Sequence, residues 1–203
     1  MKSRAGASPQ PARRRPAATV AHEVRIIGGQ WKRTKLPVPD KPGLRPTPDR
    51  VRETLFNWLA HELAGWRCAD VFAGTGALGL EAASRGAAEV LLVEQDPELV
   101  SLLRGTVAKL QATAVRVERA NGLSVLGRLA PGSWDLVFLD PPFDAELHEK
   151  ALRAAAPLLA ADGVVYLEAP TAWDEAKLAP LGLTLVRHLR AGAVHAHLLR
   201  RTA

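Results

Sequence analysis

The chain has 203 residues, 47% of them hydrophobic, and a net charge of +6. That length fits one domain, or one with a small appendage, and it can bury a sizeable core. No run reaches the roughly 18 continuous apolar residues of a membrane span, and the single cysteine, Cys68, excludes an intramolecular disulfide and a cysteine-cluster zinc site.

The charge is uneven. Residues 1–52 carry 13 Lys or Arg against 3 Asp or Glu, whereas the remainder carries 14 against 18. A basic end on an otherwise acidic chain points to an acidic polymer as its partner. Residues 1–22, with Arg13-Arg14-Arg15 and no acid, read as a disordered basic tail. No apolar stretch follows, which argues against a secretory signal; a transit peptide shares the composition. A reducing, cytoplasmic setting fits the cysteine usage.

Val24 to Val38 reads as a short β segment turning at Gly28-Gly29, and Pro37, Pro39, Pro42 and Pro46 stiffen the connection that follows. A helix is predicted to start near Thr47, with Thr47 as N-cap, Pro48 at the first helical position and Asp49 beside the positive end of the dipole. Val51, Leu55, Trp58, Leu59 and Leu63 recur at helical spacing. Arg25, Lys32, Arg33, Lys35, Arg45, Arg50 and Arg52 lie in these segments and are candidate contacts to nucleic acid.

From Cys68 the pattern alternates. Strands are expected at 68–72, 89–94, 114–118, 134–139 and 163–168, with helices at 77–85, 97–110, 122–129 and 145–160. Leu183 to Leu189 and Val194 to Leu199 flank a turn and read as a hairpin. The expected fold is α/β: a doubly wound, mainly parallel, Rossmann-like sheet ending in an antiparallel hairpin, with a small N-terminal β/helix extension. The expected division is a tail (1–22), an extension (23–64) and a main domain (65–203).

Two motifs carry chemistry. Asp70-Val71-Phe72-Ala73-Gly74-Thr75-Gly76-Ala77-Leu78-Gly79 follows a strand and opens a helix. Its glycines let the backbone turn sharply and approach a ligand. Glu94 ends the next strand, where a carboxylate can accept both hydroxyls of a ribose. A nicotinamide dinucleotide would suit this loop too; a nucleotide P-loop is disfavoured, because no Gly-Lys-Ser/Thr follows. The second motif is Asp140-Pro141-Pro142-Phe143, at the end of the apolar strand 134–139. An exocyclic base amine is a poor nucleophile, since its lone pair is delocalised into the ring. The Asp140 carboxylate and the Pro141 carbonyl can accept its N–H groups and aim the lone pair at an electrophilic methyl. The prolines stiffen the turn and remove competing donors, and Phe143 offers a stacking face. The base must first leave its stack.

On these motifs the chain resembles class I S-adenosylmethionine-dependent methyltransferases with an Asp/Asn-Pro-Pro-aromatic tetrapeptide. The closer resemblance, over residues 24–200, is to the RsmD family of bacterial 16S rRNA guanine-N2 methyltransferases. It rests on Arg25-Ile26-Ile27-Gly28-Gly29-Gln30-Trp31, on Leu44 to Leu59 and on Asp140 to Phe143. The resemblance implies a seven-stranded sheet, with S-adenosylmethionine held by Asp70, Phe72, Ala73, Gly74, Thr75, Gly76, Glu94 and Gln95. It also implies Asn121 near the adenine and Thr47 in a segment bordering the methionine end. The implied substrate is 16S rRNA in an assembled or assembling small subunit; no metal and no membrane are implied. Competing readings are an adenine-N6 methyltransferase, a nicotinamide-dependent oxidoreductase and a non-enzymatic RNA-binding factor. Asp144 reads as a helix cap, Trp31 equally as a core anchor or an RNA-stacking ring, and His195 and His197 as surface or packing residues.

Overall fold

In the computed structural model, which describes residues 23–41, 44, 47–59, 63–142 and 145–202, the strand-forming runs assemble into one seven-stranded sheet and a separate two-stranded ribbon. The ribbon pairs β1 (Glu23–Arg25) with β2 (Lys35–Pro37), antiparallel, with Val24 opposite Leu36. Then follow α1 (Asp49–Trp58), β3 (Arg67–Asp70), α2 (Ala77–Ser84), β4 (Glu89–Glu94) and α3 (Pro97–Lys109). The chain continues through β5 (Val115–Arg119), α4 (Gly122–Leu126), β6 (Trp134–Leu139), α5 (Ala145–Ala155) and β7 (Leu159–Ala169). It ends with α6 (Glu175–Leu178), β8 (Leu183–Ala191) and β9 (Val194–Arg201).

The strand order is β5-β4-β3-β6-β7-β9-β8. The first five strands are parallel, and β9 and β8 close the sheet antiparallel. Successive strands build outward from β3 to β5, then the chain returns to lay β6 on the other side of β3. Ligands of open α/β sheets bind outside the carboxyl ends of the strands at such a reversal. Here it brings together the loops that follow β3 and β6.

Alternation along the strands sorts the core into two layers. Cys68, Leu136, Phe138 and Tyr166 face a cluster containing Val51, Leu55 and Phe56 of α1, Leu80 of α2 and Leu103 of α3. Ala69, Val137, Leu139, Val165 and Leu167 face a cluster with Val125 of α4, Leu152 of α5 and Leu178 of α6. Val24, Ile26 and Leu36 of the ribbon segment belong to the first cluster, and the half-buried Trp31 packs against it as a core anchor. Every residue of α2 is buried. Among the described residues, no helix is long and apolar enough to cross a membrane.

Four local expectations are corrected. Pro48, not Thr47, occupies the N-cap of α1 and makes no side-chain cap bond, because the Thr47 hydroxyl is engaged elsewhere. Helix α5 stops at Ala155, where Pro157 turns the chain into a short 3-10 stretch. Strand β7 therefore starts at Leu159, and a register shift between Trp134 and Leu136 of β6 accommodates the extra residues. Helix α4 is only five residues long and ends at Gly127. The short α6 had no counterpart in the sequence pattern; the remaining strands and helices of the main domain lie within a few residues of their expected positions. The basic tail, 1–22, and the Asp144 cap lie outside the described residues.

Candidate active site

The glycine loop leaves β3 at Asp70. Gly74 and Gly76 adopt φ of +52° and +79°, in the left-handed region that favours glycine. Gly76 is the N-cap of α2, and a Cβ there would stand 2.6 Å from Leu103. Glu94, half-buried at the end of β4, fastens the loop. Its Oε2 accepts the Gly74 N–H at 2.9 Å, and Oε1 accepts the N–H groups of Gln95 and Asp96 at 2.8 and 2.9 Å. Asp96 caps α3 by accepting from Glu98 and Leu99, with Pro97 in the first turn. Lys41, from the proline-rich connection, pairs with both Asp96 and Glu98. Those contacts hold Asp96 below the usual carboxylate range, the Lys41 hydrogen bond contributing most.

Asn121 follows β5 and caps α4 through Ser124. Its neighbour Gly122 has no room for a Cβ, which would lie 2.5 Å from the Val71 carbonyl oxygen and 3.0 Å from the Phe72 ring. Phe72, Gly74, Glu94 and Asn121 thus gather at one end of the sheet. Gln95 is exposed beside them. Ala73 and Thr75 are buried within the loop.

Asp70 is buried beneath that loop. One oxygen, Oδ2, accepts the Gly79 N–H at 3.0 Å, while Oδ1 has no hydrogen-bond partner among the described residues. Burial raises its pKa to about 7, against the lowering pull of the Gly79 N–H. A buried acceptor with a vacant lone pair suits a ligand that brings a donor.

Asp140 follows β6 and is half-buried; Pro141 is buried and Pro142 exposed. Phe143 lies outside the described residues. The β6–β7 register pairs Phe138 with Tyr166 and Leu139 with Leu167; Asp140 follows that last pair on β6 and Glu168 on β7, and the two are close enough for their charges to interact. Both face the same layer as Phe138 and Tyr166. Glu168 is buried and accepts the Tyr166 hydroxyl at 2.8 Å. Thr47 donates a further hydroxyl hydrogen bond to it. Burial, then the charges of Glu168 and Asp70, raise Asp140 well above the ordinary carboxylate range. Glu168 and Tyr166 had no signal in the sequence, because their role depends on which strand lies beside β6.

The basic residues divide. Arg25, Lys32, Arg33, Lys35 and Arg50 are exposed. Arg25, Arg33 and Lys35 line a cleft of about 350 Å³ with Asp49 and Glu53, and Lys35 also pairs with Glu23. Arg45 lies outside the described residues. Arg52, expected at the nucleic-acid face, is fully buried instead. Its guanidinium donates to the carbonyls of Thr47 and Arg25 and to Asp49, and stands 3.6 Å from the buried Glu81. A guanidinium so enclosed has no face to offer a phosphate. Glu81 also accepts the N–H groups of Ile27 and Gly28, at 2.7 and 2.8 Å, and pairs with Arg85. It thereby clamps the ribbon segment to the helix that carries the glycine loop.

The family model described as Conserved hypothetical protein 95 matches residues 24–200. The Ribosomal RNA small subunit methyltransferase D of Escherichia coli (strain K12) is 42% identical over 192 residues, 94% of this chain and 96% of the relative. The protein of the same name from Haemophilus influenzae is 39% identical over 177 residues, 85% and 91% of the two chains. The solved structure of yhhF from Escherichia coli superposes with a TM-score of 0.77 at 40% identity, covering 90% of this chain and 99% of that one. A solved structure from Haemophilus influenzae gives 0.72 at 31%, covering 90% and 100%. Matches of this extent establish that the chain belongs to the Conserved hypothetical protein 95 family, the RsmD family.

Proposed function

We propose that the protein transfers a methyl group from S-adenosylmethionine to the exocyclic N2 amine of a guanine in 16S rRNA within the small ribosomal subunit. One observation carries this reading: the loop from Asp70 to Gly76 with its fastening acid Glu94, and the Asp140-Pro141 turn, flank a single reversal in strand order. A nucleoside-bearing donor and a base amine would meet there. The names of the relatives at 42% and 39% identity, which specify small-subunit ribosomal RNA, support the substrate class. A ribosomal substrate puts the protein in the cytoplasm.

The residues fit the donor. Gly74 and Gly76 keep the backbone free of side chains where a ligand would approach, Glu94 supplies ribose acceptors, and the orphan oxygen of Asp70 suits a donor-bearing, cationic molecule. Thr75, Gln95, Asn121 and Thr47 would add polar contacts to the donor, and Phe72 and Ala73 apolar ones. When bound, S-adenosylmethionine supplies a methyl on cationic sulfur; sulfur keeps the electrons of the broken C–S bond, and the amine gives up one proton. Asp140 and the Pro141 carbonyl accept the amine N–H groups and hold its lone pair toward the methyl, a gain of orientation and proximity. Phe143 stacks on the flipped base. Arg25, Lys32, Arg33, Lys35 and Arg50, with Arg45, attract the rRNA backbone.

Isothermal titration with S-adenosylhomocysteine and with NAD tests the pocket. Binding of the former alone is expected; preferential binding of NAD would make the loop a dinucleotide site.

A further inference from the structure

Glu168 is buried at the end of β7, and neither the glycine loop nor the tetrapeptide accounts for it. It is held from several sides. Tyr166 donates to it within β7, Thr47 donates from the start of α1, and the Arg52 guanidinium stabilises its charge. Its backbone carbonyl takes a contact of 3.1 Å from His148 of α5. Asp140 directly follows the adjacent strand β6, near enough for the charges of Glu168 and of Asp70, on β3, to act on it. Neighbouring strands are about 4.8 Å apart, so the two carboxyl groups of Asp140 and Glu168 share one small space.

We propose that Glu168 is a positioning residue for methyl transfer: its fixed carboxylate holds negative charge against Asp140, so that Asp140 can take up the proton the base amine gives up. This rests on the function proposed above. Two carboxylates so close cannot both be charged without cost, and the one with fewer partners gains the stronger hold on a proton. Burial raises Glu168 as well, but two hydroxyl donors and the Arg52 guanidinium pull it back toward the charged form. Asp140 is raised by burial, and then by the charges of Glu168 and Asp70. The proton leaving the amine nitrogen therefore goes to an oxygen of Asp140, which passes it to solvent after the product leaves.

Glu168→Gln tests this. Glutamine keeps an acceptor for Tyr166 but not the charge. The acidic limb of the single-turnover rate on undermethylated small subunits, where Asp140 becomes protonated, is expected to move to lower pH by about one unit. S-Adenosylhomocysteine affinity is expected to stay within about twofold. An acidic limb that stays in place, whatever the rate, would make Glu168 a structural fastener of Thr47 and overturn the proposal. Infrared titration of the carboxyl C=O band reads the same coupling without turnover. The Asp140 protonation step, identified by its loss in Asp140→Asn, is expected to lie lower in Glu168→Gln than in the wild type, and an unmoved step overturns the proposal. If the wild-type protein leaves the rRNA unmethylated, the function itself falls, whereas methylation with an unmoved limb removes only Glu168.

Discussion

Glu94 fastens the Gly74 N–H, and in the proposed function the same carboxylate accepts from the ribose of the donor. Glu94→Ala therefore loses both the ligand contacts and the loop's tether. Cofactor affinity is expected to fall by roughly 10- to 150-fold, which corresponds to about 1.5–3 kcal/mol; titration calorimetry reads it, and unchanged affinity would remove Glu94 from the site. Asp140→Ala is expected to leave that affinity intact while slowing single-turnover methylation severely, since Asp140 lies across the switch point from the glycine loop. Asp70 makes a pH prediction. Its folded pKa, about 7, lies above the unfolded value of 3.8. Between those values the folded protein keeps a proton that the unfolded chain has released. Its contribution is thus fully present at low pH and is lost as pH rises through about 7. Asp140 and Glu168, also raised, act in the same direction. Urea midpoints of Asp70→Asn are expected to fall less between pH 5 and 8 than those of the wild type, by up to about 3 kcal/mol in stability. An equal slope would show that Asp70 is already ionised at pH 5.

The ribbon and α1 are where local sequence and fold diverge most. Sequence patterning located the β segment and the helix, because Val24, Ile26, Leu36, Leu55 and Phe56 bury the faces that their spacing defines. It could not separate Arg52 from Arg50, two residues apart on one helix, because partners on other elements, the Arg25 carbonyl and Glu81, distinguish them. Arg52→Ala leaves Glu81 short of a partner in the interior and is expected to cost about 3–5 kcal/mol, whereas the exposed Arg50→Ala is expected to stay within about 0.5 kcal/mol. Denaturant unfolding separates the two; equal effects would contradict the burial of Arg52. Gly29, at φ +72°, sits so close to α2 that a Cβ would lie 1.8 Å from the Ser84 carbonyl oxygen. That contact explains the Gly28-Gly29 pair, which from sequence reads merely as a turn. The exposed cations of the same ribbon act differently. Neutralising Lys32, Arg33 and Lys35 together is expected to weaken small-subunit binding and to flatten its log–log salt dependence by roughly 0.7–0.9 per lost phosphate contact, with cofactor affinity unchanged. Wild-type affinity and slope in that variant would make the ribbon a structural appendage.

Across the whole molecule, what was legible in the sequence is what is local in the chain. The Asp70-to-Gly79 loop and the Asp140 turn each lie within ten residues and stand out by residue type and order. The alternating strands and helices followed from short apolar runs between helical segments. The rest depends on partners far apart in sequence: Ile27 and Glu81 are 54 residues apart, and Glu168, at the end of β7, takes a hydrogen bond from Thr47, ahead of α1. Strand adjacency is also what joins the two motifs into one site, since β3 and β6 are neighbours although β4 and β5 intervene in the chain. The proposed methyl transfer is tested most directly by incubating the protein with isotopically labelled S-adenosylmethionine and small ribosomal subunits lacking the modification, digesting the 16S rRNA, and identifying the labelled nucleoside by mass spectrometry. The expected result is a single labelled N2-methylguanosine, absent with Asp140→Ala. Label in N6-methyladenosine, or none in the rRNA at all, would contradict it.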